Sequence, residues 1–252
     1  MLNQININDI VTIAKEAGNA IMEIYKKNFE VEYKPDCSPI TIADKKANNI
    51  IENGLNRLFL NLPILSEEGE EITFEDRKHW EYFWLVDPLD GTKEFIKKNG
   101  EFTVNIAVVR RDTPVLVVVY APSLDICYFA KQNEAACKDN QNLPHKTKNQ
   151  RNTFKIVASR SHKSVKTQAF IDAINTNKKK EVVTIGSSLK ICIVAEGEAD
   201  IYPRFSPTME WDTGAAHAIL SEAGGKIIDQ ESNDELKYNK DERLLNNNFI
   251  VL

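Results

Sequence analysis

Trp84-Leu85-Val86-Asp87-Pro88-Leu89-Asp90-Gly91-Thr92 runs from an apolar stretch straight into acids. Phe83 to Val86 has the continuous apolar character of a short buried strand. Such a strand delivers Asp87 and Asp90 into one turn. Pro88 stiffens that turn, and Gly91 permits close backbone approach or an unusual dihedral. Hard divalent cations take oxygen ligands, and Mg²⁺ is typically held by one or two carboxylates together with phosphate oxygens. Asp87 and Asp90 can share such ions, with the Leu89 carbonyl as a further oxygen between them. If Gly91 and Thr92 open a helix, their free amides point at a phosphate. The bland alternative is a solvated turn with capping aspartates, because Asp, Pro and Gly are ordinary turn residues.

Two more places repeat the pattern. Leu65-Ser66-Glu67-Glu68 again ends a short apolar run in acids, and Trp211-Asp212-Thr213 stands just before an Ala-rich segment. An Asp at a helix start is commonly only a cap. Acid clusters at three element boundaries argue for one multinuclear metal site better than any one of them alone.

Outward from these motifs the chain divides into recognisable elements. Ile10, Ala14, Ala17, Ile21 and Ile24 fall at helical spacing behind the capping candidates Asn8 and Asp9. A second helix is expected from about Asp44 to Leu60. The turn Ser38-Pro39 precedes it, and Thr41 with Asp44 forms a capping-box pattern. Pro63-Ile64-Leu65 reads as a short strand and the polar segment Gly69–Lys78 as a length-tolerant loop. Phe102–Val109, Val115–Tyr120 and Ile126–Ala130 read as a meander of strands. Lys138–Arg151 is polar and linker-like, which places a boundary there: an N-terminal α+β domain over 1–150 and a C-terminal α/β domain over 151–252. In the second half, strands are expected at Phe154–Ala158, Val182–Ile185, Asp200–Tyr202 and Lys226–Ile228. Helices are expected at Val165–Ile174, Leu189–Glu196 and Thr213–Ala223.

The totals fit a soluble globular protein. The 252 residues are 42% hydrophobic and 27% charged, with a formal net charge of -5. That charge argues against a general nucleic-acid binder. The four cysteines show no metal-ligand spacing and fit scattered reduced thiols. No signal segment and no apolar run of the ~18 residues needed for a membrane span is found. The expectation is a cytoplasmic protein, at most peripheral to a membrane, with its oligomeric state left open.

The motifs together resemble the inositol monophosphatase family of lithium-sensitive, Mg²⁺-dependent phosphatases. Asp87-Pro88-Leu89-Asp90-Gly91-Thr92, Trp211-Asp212-Thr213-Gly214-Ala215-Ala216, Ser66-Glu67-Glu68 and the Ser38-to-Asp44 segment stand in family order over nearly the whole chain. Within the family the chain is similar to the 3'(2'),5'-bisphosphate nucleotidases. The segments that carry this are Lys93-Glu94-Phe95 continuing to Asn105, Ser159-Arg160-Ser161-His162, Gly186-Ser187-Ser188-Leu189-Lys190 and Tyr202-Pro203-Arg204. The helix start Thr213-Gly214-Ala215-Ala216 departs from the Ala-Ala-Gly order of many relatives.

The resemblance implies an α/β (α+β) sandwich with layers αβαβα, of the inositol monophosphatase and fructose-bisphosphatase type. It implies that Glu67, Asp87, Asp90, Asp212 and the Leu89 carbonyl bind Mg²⁺, as two or three ions that activate water and steady the leaving oxygen. Asp44, Glu67 and Thr92 take catalytic roles, with Thr92 linked to Asp44 and orienting the water. The substrate contacts are Glu67, Leu89, Asp90, Gly91, Thr92, Ser159, His162, Ser187, Lys190, Arg204 and Asp212. The activity it implies is hydrolysis of adenosine 3',5'-bisphosphate to AMP and phosphate, with the sulfated nucleotide as a second substrate, in sulfur assimilation and nucleotide recycling. The rivals are an inositol or sugar phosphatase with the same metal core, and a nucleotide-binding regulatory protein that kept the fold.

Overall fold

The protein is described by a computed structural model, which covers residues 2–34, 39–58, 61–144, 152–159 and 164–252. Helix α1 spans Ile7–Tyr25, and its cap is Asn6, whose side chain accepts the Asn8 amide at 3.1 Å. Asn8 and Asp9 therefore lie inside the first turn. The helix buries Ile10, Ile13, Ala14, Ala17 and Ile21 on one stripe. Gly18 lies on the same stripe. A Cβ there would sit 2.5 Å from the Tyr120 ring, so the missing side chain lets α1 rest directly on the sheet below.

A short hairpin follows, β1 (Val31–Tyr33) with β2 (Pro39–Thr41), and leads into α2 (Ile42–Arg57). The capping box expected at Thr41 and Asp44 is present. Thr41 Oγ1 accepts the Ala43 amide at 3.1 Å, and Asp44 Oδ2 accepts the Thr41 amide at 2.7 Å.

The central sheet has seven strands in the order β3 (Ile64–Ser66), β4 (Tyr82–Asp90), β5 (Thr103–Arg110), β6 (Thr113–Ala121), β7 (Ile126–Lys131), β8 (Cys137–Lys138) and β9 (Gln141–Asn142). Only β3 and β4 are parallel. Both faces are covered, which explains why these strands read as continuous apolar runs rather than alternating ones. Helices α1 and α2 cover one face through Trp84, Val86, Val104, Ile106 and Val118. Helices α6 (Leu189–Ala195) and α7 (Gly214–Glu222) cover the other through Leu85, Ala107, Val117 and Val119.

Beyond α6 and α7 lies a second sheet. Strands β12 (Tyr202–Arg204), β14 (Phe249–Val251) and β13 (Ile227–Asp229) pair in that spatial order, and β10 (Thr153–Ser159) pairs in parallel with β11 (Lys179–Ile185). A parallel bridge from Ile156 to Ile201 joins the two parts. Val157, Tyr202 and Val251 face the helices, while Ile156, Ile201 and Ile250 face outward onto α5 (Val165–Ala173) through Ile171. The layers run helix, sheet, helix, sheet, helix, the expected αβαβα sandwich.

Several boundaries differ from expectation. Strand β4 continues through both acids to Asp90, and β12 starts at Tyr202 rather than Asp200. The polar stretch after Cys137 begins with the β8–β9 hairpin; positions 145–151 of the expected linker lie outside the described residues. The segment expected as a free loop contains α3 (Phe74–Arg77), whose Arg77 is fully buried. Among the described residues no helix is long and apolar enough to cross a membrane.

Candidate active site

Where β4 leaves its pairing with β5, the register slips between Asp87 and Asp90. The slip turns both acids toward one cavity instead of alternating them across the sheet. Asp87 Oδ1 accepts the Leu89 amide at 3.0 Å, a turn closed by the side chain itself. Gly91 follows with φ +94, a conformation suited to glycine, and opens α4 (Thr92–Ile96). A third acid arrives from the second half of the chain. Asp212 ends a single 3₁₀ turn, Glu210–Asp212, just ahead of α7. Its Oδ2 accepts the Met209 amide at 2.9 Å.

Oxygens of Asp87, Asp90 and Asp212 lie within 4.8 Å of one another. Burial pushes the Asp87 carboxyl well above the ordinary range, and the charges of Glu67, Asp90 and Asp212 push it further. Asp212 is raised to about 8 by burial first and then by Asp90 and Glu67. Asp90 is raised by burial, against the opposing pull of Lys190 and the Ser188 amide. Asp87 Oδ2 is buried and has no hydrogen-bond partner. Buried carboxylate oxygens ordinarily find a donor or a cation. Three clustered acids, one with an orphaned oxygen, and an all-oxygen donor set fit a hard divalent cation.

Glu67 follows β3 and lines the same cavity, but it stands outside the three-acid cluster. Its Oε1 accepts from Lys34 Nζ at 3.0 Å, and the same ammonium reaches Glu68 at 2.6 Å. Burial raises the Glu67 carboxyl, with Lys34 opposing. Lys34 carries no signal in the sequence, since nothing local links it to acids 33 and 34 positions away.

Asp44 does not line the cavity. It lies behind Thr92, whose Oγ1 donates to Asp44 Oδ1 and to the Leu89 carbonyl, each at 3.3 Å. Burial raises Asp44 to about 6, against its bonds from Thr41.

The cavity, of about 210 Å³, is lined as well by Ser159, Ser187, Lys190 and Arg204. Arg204 is buried and Lys190 is half-buried. Lys190 Nζ donates to the Ser187 carbonyl, and Arg204 donates to the carbonyls of Ser206 and Pro207 at 3.0 and 2.9 Å. Burial lowers the Lys190 pKa, and the neighbouring Asp90 opposes that. His162 lies outside the described residues. Every other expected site residue except Asp44 lines this cavity: Glu67, Asp87, Leu89, Asp90, Gly91, Thr92, Ser159, Ser187, Lys190, Arg204 and Asp212. Ser188 and Tyr202 line it as well. Ser188 was readable only as a neighbour of Lys190, and Tyr202 as a neighbour of Arg204.

Sandwich and acid cluster together define a class. The chain belongs to the inositol monophosphatase family, whose model matches residues 4–250. Among its relatives, the 3'(2'),5'-bisphosphate nucleotidase CysQ of Salmonella typhimurium is 43% identical over 250 residues, covering 97% of this chain and 98% of the relative. The protein of the same name from Escherichia coli K12 is 42% identical over the same coverage. The crystal structure of CysQ from Bacteroides thetaiotaomicron superposes with a TM-score of 0.86 at 42% identity, covering 98% of this chain and 96% of that one. The extragenic suppressor protein suhB of Bartonella henselae matches at TM-score 0.79 and 26% identity, over 97% and 92% of the two chains.

Proposed function

We propose that this protein is a Mg²⁺-dependent 3'(2'),5'-bisphosphate nucleotidase. It hydrolyses adenosine 3',5'-bisphosphate with water to AMP and phosphate, and takes the sulfated nucleotide as a second substrate. The observation that carries the reading is the pairing, in one cavity, of a three-acid cluster with two cations, buried Arg204 and half-buried Lys190. Acids alone suit any metal-assisted phosphatase. Two cations lining the same cavity, one of them buried, call for a second anionic group on the substrate. The names borne by the CysQ relatives support the same reading.

Asp87, Asp90 and Asp212, with Glu67 and the Leu89 carbonyl, hold two or three Mg²⁺ ions. When bound, the ions supply positive charge to the scissile phosphoryl group and ease the ionisation of water. The chain's own groups do the rest. The amides of Gly91 and Thr92 cradle the scissile phosphate at the start of α4. Thr92 Oγ1 orients the attacking water. Asp44 behind it, raised to about 6, is poised to take a proton through Thr92 near neutral pH. Lys190 and Arg204, with Ser187 and Ser159, hold the phosphate that is not cleaved. Arg204 has already committed Nε and Nη2 to backbone carbonyls, which fixes its guanidinium plane before substrate arrives.

Kinetics of Lys190→Ala and Arg204→Ala test this. Each should raise KM for adenosine 3',5'-bisphosphate roughly 10- to 100-fold, the worth of one charge-assisted contact. Hydrolysis of a monophosphate lacking the second group should change little. Equal losses on both substrates would favour the inositol or sugar phosphatase reading.

A further inference from the structure

Two glycine turns flank the cavity. One holds Gly91 and Thr92; the other, Gly186 to Lys190, carries Ser187 and Lys190. Between them lies the backbone of Glu101. A Cβ at Gly91 would stand 3.1 Å from the Glu101 carbonyl oxygen, and a Cβ at Gly186 would stand 2.7 Å from the same oxygen. One carbonyl thus touches both turns at the positions where neither has a side chain.

The Glu101 side chain adds a second hold. Its Oε2 accepts the Gly186 amide at 2.8 Å, while its own amide donates to Asn99 Oδ1 at 3.0 Å. The next residue, Ser187, has φ +48, a left-handed conformation that a non-glycine residue keeps only under outside restraint. The restraints are visible. Besides the Glu101 bond, the Ser188 amide donates to Asp90, and the Ser188 hydroxyl donates to Asn105 Oδ1 at 2.9 Å.

We infer that Glu101 is a spacer that fixes the separation of the two phosphate subsites, and with it the preference for a bisphosphate over a monophosphate. The inference rests on the two-phosphate reading proposed above. Glu101 does not line the cavity. It acts through the Gly186 turn and so is a positioning residue. Shortening its side chain leaves the acid cluster and the Gly91 turn in place. The Gly186 turn relaxes, and Ser187 and Lys190 no longer stand at the distance the second phosphate requires. Binding of the doubly anchored substrate suffers, while that of a substrate anchored only at the scissile end does not.

The test uses the full chain with saturating Mg²⁺ and two substrates, adenosine 3',5'-bisphosphate and adenosine 3'-monophosphate. Glu101→Asp keeps the charge but lacks one methylene, so it cannot hold the 2.8 Å bond without moving the turn. Its KM for the bisphosphate should rise roughly 5- to 20-fold, part of the worth of a charge-assisted hydrogen bond. Its kcat, and both constants for the monophosphate, should stay within about twofold. Glu101→Gln keeps an acceptor oxygen at full length and should return close to the parent values. An unchanged bisphosphate KM in Glu101→Asp, or an equal loss on both substrates, overturns the inference. Lys190→Ala measured alongside separates the two ideas. If it discriminates between the substrates and Glu101→Asp does not, the spacer fails alone. If Lys190→Ala does not discriminate either, the two-phosphate reading fails and the spacer with it.

Discussion

At Asp87 one carboxylate oxygen takes the Leu89 amide and the other, fully buried, takes nothing. Burial together with the repulsion of Glu67, Asp90 and Asp212 disfavours its charge in the metal-free protein. Asn is nearly the same shape but brings no charge to hold Mg²⁺. Asp87→Asn should therefore lower phosphatase activity by at least about a hundredfold, the scale of losing metal assistance. It should also abolish stabilisation by Mg²⁺ without unfolding the protein. Circular dichroism and thermal melts with and without Mg²⁺ check both halves. The same acids set a pH dependence. Glu67, Asp87, Asp90 and Asp212 have folded-state pKa values raised above their unfolded ones, Asp212 to about 8. Between about pH 4 and 8 the folded metal-free protein thus holds more protons than the unfolded chain. Its stability should fall as pH rises through that window. Mg²⁺ needs the deprotonated ligands, so its stabilising effect should be larger at pH 8 than at pH 5.5. Melting temperatures at the two pH values measure this. A Mg²⁺ shift that is equal at both would count against the cluster as the metal site.

Among the elements, those with a strong local pattern were legible in the sequence. The period of α1, the capping box of α2 and the apolar runs of β4 to β7 all led to the elements observed. Elements held mainly by distant partners were not. The β1–β2 hairpin is short and partly exposed, and β14 is a three-residue run that needs β12 and β13 beside it. Lys190 and Arg204 belong to residue types that are mostly exposed, and only the family resemblance put them in the site, since a charge's surroundings depend on neighbours that local sequence does not name. Helix α3 is the sharpest case. Its segment is polar, yet Arg77 is buried and donates to Asn239 Oδ1 at 2.6 Å and to the carbonyls of Asp241 and Glu242 at 2.7 and 3.0 Å. Asn239 in turn gives its amide to buried Glu210 at 2.6 Å, at the start of the 3₁₀ turn that carries Asp212. Arg77→Ala should cost about 3 kcal/mol of stability, because it strips a buried charge network of one member while Lys240 still pairs with Glu210. Denaturant unfolding at fixed Mg²⁺ gives the number. A cost under about 0.5 kcal/mol, the range of ordinary surface changes, would show that the network does not brace this segment.

For the molecule as a whole, the cavity is an assembly of both halves of the chain. Strand β4 brings Asp87 and Asp90, β3 leads to Glu67, and the second half brings Asp212, Lys190 and Arg204. The larger core cluster is likewise shared, with Val117 and Tyr128 packed in one body with Val157, Tyr202 and Phe249. A net charge of -5 sits on a protein whose proposed substrate is a polyanion, so on that proposal recognition would fall to the metal and to buried Arg204 and half-buried Lys190 lining the cavity. On the proposed function, metal-dependent hydrolysis and the two-phosphate preference belong to one cavity. Phosphate release by the purified protein, with adenosine 3',5'-bisphosphate and inositol monophosphate compared at equal concentration with and without Mg²⁺, tests it most directly. Release from the bisphosphate should require Mg²⁺ and exceed release from inositol monophosphate by at least about tenfold, the least that one charge-assisted contact provides. Equal release from the two substrates, or binding of the bisphosphate with no phosphate released, would contradict it.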